Sequence, residues 1–268
     1  MLTGVAAAGA VLLLLGCAAV APPVEPARWV EPVTGITFVR LPAGRFVMGS
    51  PADEPGREPQ EVPHVVRLSR ATWMAVAEVT QGQWRAVIGT DPSHFRGDDT
   101  RPVERVNWHD ARAFTATLSR RSPGNRFRLP TESEWEYACR AGATTPFAFG
   151  HALSTGQANI GPLEGDALGG RRQTTTVAAF AANAWGLHDM HGNVWEWVED
   201  DHCPYPTGAV VDPVGRCQAP LKVIRGGSWA FPADSARCAL RYTHRPQDVG
   251  YSLGFRLVRE VASPPAPR

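Results

Sequence analysis

Five cysteines are the residues with the clearest capacity for chemistry in this sequence of 268 residues. Thiolates bind soft metals such as copper(I), whereas paired cysteines in an oxidising compartment form disulfides. Cys17 ends an apolar run, and the other four are Cys139, Cys203, Cys217 and Cys238. An even number in an exported chain predicts two disulfides. Four cysteines allow three pairings, and their spacing alone does not choose between them.

Histidine is the second residue type that could hold a metal. His188 and His191 lie three residues apart and His202 follows, but a metal site needs a further ligand at a defined spacing. We therefore predict that these histidines are surface or hydrogen-bonded residues. The sequence also lacks a Ser-His-Asp order, a P-loop and a dinucleotide-binding fingerprint in a suitable context.

The N-terminal segment predicts export. Residues 1–21 are rich in Ala and Leu and include Leu14-Leu15-Gly16-Cys17, which resembles the lipobox of bacterial lipoproteins. We expect residues 1–17 to be a signal peptide and Cys17 the lipidation site, with several acyl chains holding the protein in the membrane. Ala18 after the cysteine favours the outer membrane, facing the periplasm. Because no Lys or Arg precedes Cys17, soluble export after cleavage and an uncleaved anchor are the alternatives.

The composition favours one loop-rich domain. Hydrophobic residues make up 43% of the chain and charged residues 20%, with 26 Gly and 24 Pro, which predicts a sizeable core with many turns. Lys and Arg number 27 against 26 Asp and Glu, so no long-range field attracts nucleic acid. We predict a Pro-rich linker at residues 18–36, a folded domain at residues 37–260 and a disordered tail at residues 261–268.

Short elements must position the candidate residues. Two alternating apolar runs flank Pro-Ala-Gly within residues 38–49 and predict a hairpin, followed by an exposed loop at residues 50–63 and a strand at residues 64–68. One helix is predicted to begin after Thr80, a second to run over residues 108–118, and a third to begin after Thr131. Thr131 and Glu134 form a capping box. Few helices and many short strands indicate an α+β domain.

Four segments in a fixed order form a more specific pattern than any one of them. Residues 128–138 read RLPTESEWEYA, and they are followed by GNVWEW at 192–197, RGGSW at 225–229 and LGFR at 253–256. In this order they resemble the formylglycine-generating-enzyme (sulfatase-modifying factor) family, over roughly residues 37–259. The resemblance implies an irregular C-type-lectin-like α+β fold. It also implies an oxidase that converts a sulfatase cysteine to formylglycine, using O2 and copper(I) held by two thiolates.

The aromatic and arginine residues of these segments have a simpler interpretation as core. We predict that the large aromatic side chains are core residues, because a loop-rich fold needs such apolar volume. Arg225 and Arg256 are then buried ion-pair partners rather than substrate contacts. The aromatic residues concerned are Trp135, Tyr137, Trp195, Trp197 and Trp229.

The sequence departs from the family at the copper site. The resemblance places both copper cysteines shortly after Gly-Gly-Ser, but residues 228–237 contain no cysteine and Phe231 stands at the first position. Cys238 matches a different family cysteine, which forms a disulfide with one on the helix after Leu-Pro-Thr. The resemblance therefore implies the pairs Cys139–Cys238 and Cys203–Cys217. We do not expect copper; the rival hypothesis places it between Cys139 and Cys238.

The resemblance further implies bound calcium, a hard cation that prefers oxygen ligands. One site maps onto the side chains of Asp189 and Glu196 with the carbonyls of Gly192 and Val194. A second begins with Asn159 and Ile160, and Asp166 is the candidate for its later carboxylate.

Two classes of function follow from these residues. The first is a binding or scaffold lipoprotein whose groove holds an extended peptide or an envelope protein. The second is an oxidoreductase of the same family with chemistry that does not use the copper pair, and true formylglycine generation is a third hypothesis. A shared fold would preserve the matching segments in every case. The groove is predicted to include Ser228, Trp229, Arg237 and Ser252.

Overall fold

The computed structural model describes residues 27–161 and 171–261, together with residue 1. The predicted lipidation site at Cys17, the candidate calcium ligand Asp166 and the tail after residue 261 lie outside the described residues. Among the described residues, none of the helices combines the length and the apolar character that crossing a membrane requires.

The described chain forms short strands in three sheets and three α-helices. The helices are α1 (Gln81–Ile88), α2 (Trp108–Arg121) and α3 (Glu132–Arg140), and a 3-10 turn covers Ala233–Ala236. The strands are β1 (Arg28–Val30), β2 (Thr37–Leu41), β3 (Gly44–Met48), β4 (His64–Leu68), β5 (Thr72–Ala75), β6 (Asn125–Arg128), β7 (Trp195–Asp201), β8 (Val210–Val211), β9 (Lys222–Arg225), β10 (Tyr242–His244), β11 (Leu253–Gly254) and β12 (Val258–Val261).

The largest sheet joins both ends of the domain in the order β1-β2-β5-β12-β6. Its first strand shows that the folded domain begins before the predicted boundary at residue 37. Trp29 pairs with Phe38 across β1 and β2, and its ring packs 5.6 Å from Phe38 and 6.3 Å from Phe127. The prediction failed because three residues are too few to show an alternating pattern, and Trp29 is recognised as core only through its distant partners.

The two strands predicted within residues 38–49 form, but they do not form a hairpin. β2 lies in the large sheet, whereas β3 pairs with β4 in a three-stranded sheet of order β3-β4-β8. A two-residue hairpin needs a positive φ in its turn, and Pro42 is restricted to a negative φ. The link at residues 42–43 therefore carries the chain from one sheet into the next.

Local capping places the helices. Thr80 accepts a hydrogen bond from the Gln83 amide, and Thr131 accepts one from Glu134, in reciprocal capping boxes. The predicted second helix begins at Trp108 and runs three residues past its expected end. The remaining sheet, of order β10-β9-β7-β11, packs against α3 and includes the end of the GNVWEW segment and the start of the LGFR segment.

Two disulfides confirm the predicted pairing. Cys139, on α3, bonds to Cys238 across 99 residues with a Cα–Cα distance of 5.7 Å. Cys203 bonds to Cys217 across 14 residues with a Cα–Cα distance of 5.9 Å. The first bond ties α3 to the chain after the 3-10 turn, and the second closes the loop between β7 and β9.

Candidate functional site

The arginine of the LGFR segment lies in a buried ion pair. Arg256 donates to both oxygens of Glu196, at 2.6 and 2.7 Å, and Trp135 Nε1 donates to the same carboxylate at 2.7 Å. All three side chains are fully buried. The pair joins β7 to the end of β11 and to α3, so these segments form part of the core, as predicted for their arginine and aromatic residues.

The arginine of the RGGSW segment is buried in the same way. Arg225 donates to Glu136 and to the carbonyls of residues 239 and 240, and its guanidinium lies 5.4 Å from the Trp135 ring centroid. Close by, Arg241 pairs with Glu132 at 2.7 and 2.9 Å. Each arginine compensates a carboxylate of α3, so none of them is free to contact a substrate.

The four predicted groove residues do not share one environment. Ser228 and Arg237 are buried, whereas Trp229 and Ser252 are partly exposed. Arg237 donates to Glu54 at 2.6 Å and to Glu61 at 2.9 Å. Ser228 and Arg237 were predicted to line the groove, but the structure places both in the interior.

The loop at residues 50–63 accounts for the burial of Arg237. This loop was predicted to be exposed, but Glu54 and Glu61 are buried within it. Burial raises the pKa of the Glu61 carboxyl, and hydrogen bonds from Arg237 and Ser50 outweigh that effect, so its pKa lies below the usual value. Pro-rich acidic composition gave no sign of a buried partner 176 residues away.

Trp229 was predicted to be a core residue, but it is partly exposed and belongs to a surface cluster of rings, which we call the aromatic surface. Two groups of rings form it. In the first, His94 lies 4.5 Å from Tyr251 and Phe95 lies 5.4 Å from Trp229, measured between ring centroids. In the second, Phe231 and Tyr242 each lie 5.6 Å from the buried Trp195. The aromatic surface consists of His94, Phe95, Trp229, Phe231, Tyr242 and Tyr251.

Three rings of the aromatic surface are widely exposed. Tyr251 is 54% exposed, Tyr242 51% and Phe231 37%. The indole nitrogen of Trp229 donates to the Tyr251 carbonyl at 3.2 Å and links the chain near Phe231 to that near Ser252. Exposed apolar rings are typical of interaction sites, because covering them with a partner removes apolar surface from water and is favourable in free energy.

A second feature of the site is a buried cluster with more acidic than basic side chains. Glu78, Asp189 and Glu196 are all buried, and Arg256 is the cation near them. Burial raises the pKa of Glu78 well above its usual value, and the charges of Asp189 and Glu196 raise it further. Burial also raises the pKa of Asp189. Oε2 of Glu78 has no hydrogen-bond partner among the described residues.

A buried amide adjoins this cluster. Asn159 donates to the Asn193 side chain at 3.1 Å, and Asn193 donates to Glu78 at 3.1 Å. The main-chain oxygen of Asn159 accepts from the Asn193 amide at 2.7 Å. Oδ1 of Asn159 is buried and, within the described part of the chain, without a partner.

A comparison with models of protein families identifies the family of this chain. A model of the family described as "Sulfatase-modifying factor enzyme 1-like domain" matches residues 28–261. The chain belongs to this family. Its fold is the mixed, sheet-rich, C-type-lectin-like fold of the formylglycine-generating-enzyme group, as predicted. PvdO from Pseudomonas aeruginosa is similar in structure, with a TM-score of 0.76 and 29% identity over 88% of this chain and 99% of that one.

Curated relatives of this sulfatase-modifying-factor chain include proteins named as enzymes and one named as inactive. The serine/threonine-protein kinase pkn1 of Chlamydia caviae is 34% identical over 60% of the chain and 24% of the kinase. The formylglycine-generating enzyme of Streptomyces coelicolor is 34% identical over 68% of the chain and 60% of the enzyme. The "Inactive C-alpha-formylglycine-generating enzyme 2" of Bos taurus is 27% identical over 89% of the chain and 93% of that protein. The chain thus spans less than two thirds of the first two.

The copper cysteines that the resemblance implies have no counterpart among the described residues of the aromatic surface. Phe231 occupies the position expected for a copper cysteine, and its ring contacts Trp195. The thiols of Cys139 and Cys238 lie near His191, but they are joined in a disulfide. While this disulfide is formed, neither sulfur is a thiolate that could bind copper(I).

His191 beside this disulfide is a hydrogen-bonded interior residue, as predicted. Its Nδ1 lies 2.7 Å from the Ala236 carbonyl and its Nε2 lies 3.1 Å from the Ala148 amide. A carbonyl only accepts and an amide only donates, so Nδ1 carries the proton. Burial lowers the pKa of His191 to about 4 and keeps the ring neutral.

The residues present fit the family's calcium sites in different degrees. At the first site, Asp189 offers a buried carboxyl and Glu78 an oxygen without a partner, whereas Glu196 is already paired with Arg256. At the second site, Asn159 offers a buried oxygen without a partner, next to the main chain of Ile160. Buried oxygens without partners are unfavourable unless a proton or a cation compensates them.

Sequence reasoning did not identify Glu78, Tyr242 and Tyr251. Glu78 lies 111 residues before Asp189 in the chain, and the tyrosines occur outside the four matching segments. The two tyrosines come onto one side of the molecule only when β10 and the loop before β11 fold beside β7 and β9. Exposure of an aromatic residue leaves no mark on residue spacing, so no local signal could have revealed this surface.

Proposed function

We propose that this chain is a binding protein that holds an extended peptide or a partner's loop against the aromatic surface, without copper oxidase activity. The observation that carries the proposal is the exposed ring of Phe231, which packs against Trp195 as Tyr242 does and stands where the resemblance implies a copper cysteine. All four cysteines after residue 17 are bonded in pairs. The similarity to a full-length inactive relative supports this proposal.

Oxygen uptake separates binding from catalysis. The purified protein would be supplied with copper(I), iron(II) or calcium in turn, together with a cysteine-containing sulfatase peptide. We expect no stoichiometric redox metal and no O2 consumption above that of the free metal. Metal-dependent O2 uptake with conversion of the peptide cysteine would contradict the proposal and favour an oxidoreductase.

Peptide binding is tested by removing the exposed rings. A display library of unstructured peptides would be selected on the protein, and the affinity of a selected peptide measured by fluorescence anisotropy. The double variant Tyr242→Ser/Tyr251→Ser should weaken binding by about tenfold or more, because aromatic anchors dominate such contacts. The double variant Val47→Ser/Val211→Ser is the matched control, since it removes two exposed apolar side chains from the three-stranded sheet. Equal losses in both variants would contradict the assignment.

Calcium would serve as a structural ion in this function. The ligands proposed are Asp189, Glu196 and the carbonyls of Gly192 and Val194 at one site, and Asn159 with Ile160 at the other. A cation there would compensate the buried oxygens of Glu78 and Asn159. Calcium should raise the melting temperature of the wild-type protein, and Asn159→Ala should reduce that rise. A melting temperature insensitive to calcium and to a chelator would exclude both sites.

We also propose that the protein is held at the cell envelope through a lipid on Cys17. The support is the Leu-Leu-Gly-Cys segment, after which small residues and prolines precede the first strand. Cells fed radiolabelled palmitate should incorporate label into the wild-type protein and none into Cys17→Ser. Fractionation should then move the variant from the outer membrane to the soluble periplasm, and label in the variant would refute the assignment.

A further inference from the structure

A second surface feature shares no residue with the aromatic surface. It is a groove with a volume of about 1390 Å³, lined by β2, β5, β6 and β12, by α2, and by residues 212–216. Seven arginines and four carboxylates line it, a net charge of +3, whereas the whole chain carries +1. We call it the arginine groove. Positive charge is therefore concentrated here on a chain that is otherwise near balance.

Three of these arginines have no ion-pair partner. Four others form pairs within the groove, among them Arg128 with Glu134 and Glu260. Arg40, Arg70 and Arg259 have no carboxylate within 4.0 Å among the described residues. A free guanidinium presents a planar fork of donors that matches a carboxylate or a phosphate.

The sheet holds two of the three unpaired arginines in a fixed row. Arg40 on β2 and Arg259 on β12 both face Trp73 on β5 in the strand register. The Arg259 guanidinium lies 3.8 Å from the centroid of Trp29 and 5.4 Å from that of Trp73, and its Nε donates to Asn125 at 2.6 Å. Burial lowers the pKa of Arg259, the direction expected of a cation with no carboxylate beside it. Its position is thus set by stacking rather than by an acidic partner.

The shape of the groove limits what can occupy it. Its volume exceeds the roughly 300–1,000 Å³ of small-molecule pockets, so an extended polymer fits better than a metabolite. A bilayer surface is flat and would reach only the rim of a concave groove. The lining also includes the partly exposed Trp73 and the exposed Val214, which suits a chain with apolar as well as acidic side chains.

We propose that the arginine groove binds an extended, carboxylate-rich polypeptide segment. Arg40, Arg70 and Arg259 bind its carboxylates, and the ring of Trp73 lies between two of these cations. The two surfaces would let one domain contact two segments, so this proposal stands whether or not the aromatic surface binds a peptide.

The test uses the full-length protein in detergent and a fluorescent twelve-residue peptide in which Glu alternates with Ala. The same peptide with Gln in place of Glu controls for charge. Arg40→Gln/Arg70→Gln removes two exposed groove cations, and Arg45→Gln/Arg67→Gln removes two exposed arginines that pair across β3 and β4, outside the groove. Neither change removes an ion pair, so both variants should fold.

We expect the Glu peptide to bind at about 0.15 M salt, where charges more than about 8 Å apart are largely screened, and the Gln peptide to bind far more weakly. The groove variant should lose about tenfold in affinity and the control variant less than about twofold, since screened charges outside the site add little. No binding of the Glu peptide, or equal losses in the two variants, would overturn the proposal. So would tighter, groove-dependent binding to phosphatidylglycerol vesicles or to single-stranded oligonucleotides, which would identify a membrane or a nucleic acid instead.

Discussion

The two disulfides should differ in what they contribute to stability, because they close loops of very different length. The Cys139–Cys238 bond spans 99 residues and the Cys203–Cys217 bond spans 14. Chain entropy predicts that removing them costs about 5 and about 3 kcal/mol of unfolding free energy, respectively. The first pair is also fully buried against α3, so alanine substitution there loses packing as well. The expected difference is about 2 kcal/mol or more.

The assay is urea unfolding of the wild-type protein, Cys139→Ala/Cys238→Ala and Cys203→Ala/Cys217→Ala, monitored by tryptophan fluorescence. Alanine avoids the buried hydroxyl that serine would introduce beside His191. Both variants should unfold at lower urea concentration, with the first far below the second. An equal loss in the two variants, or a larger loss for the short loop, would refute the reasoning from loop length.

Three further outcomes are expected. Glu196→Ala should cost about 4 kcal/mol because it leaves Arg256 buried without a partner, whereas Asp99→Ala at an exposed pair should cost under about 1 kcal/mol in the same urea assay. Burial and the nearby acidic residues raise the pKa of Asp200 to about 7. Between about pH 4 and 7 the unfolded state therefore binds fewer protons than the native state, so the titration of Asp200 lowers the free energy of unfolding as pH rises. Unfolding at several pH values should give Asp200→Asn a slope more positive by about 1.4 kcal/mol per pH unit, and an unchanged slope would exclude this titration. Thr131→Ala should cost about 1 kcal/mol by thermal melting, since it removes the N-terminal cap of α3, and an unaltered melt would contradict that role.

The features that could be predicted from sequence are those determined by neighbouring residues. Thr131 and Glu134 are three residues apart, so the start of α3 follows from local hydrogen bonding alone. The separate sheets of β2 and β3 could not be predicted in this way. The partners of β2 are β1 and β5, and β3 pairs with β4, so distant contacts outweigh the hairpin pattern.

In the candidate site, too, the features that depend on distant residues could not be predicted from the sequence alone. Arg237 was predicted to line a groove, but it is buried because it pairs with Glu54 and Glu61, more than 170 residues earlier. A charged side chain is stable in the interior only with such a partner, and sequence spacing does not reveal the partner. The disulfide between Cys139 and Cys238 was predicted because the resemblance supplied a distant pairing that spacing could not.

The matching segments explain why family membership was clear and function was not. Trp135, Glu196, Arg225 and Arg256 are joined through buried hydrogen bonds, ion pairs and ring contacts, so replacing any of them leaves a charge or a cavity in the core. Selection for folding alone would retain them in enzymes and in inactive relatives. Phe231, by contrast, carries an exposed ring whose identity the fold does not require. Differences of function within this fold are therefore expected at such positions, where a change of side chain alters what the surface binds and leaves the core intact.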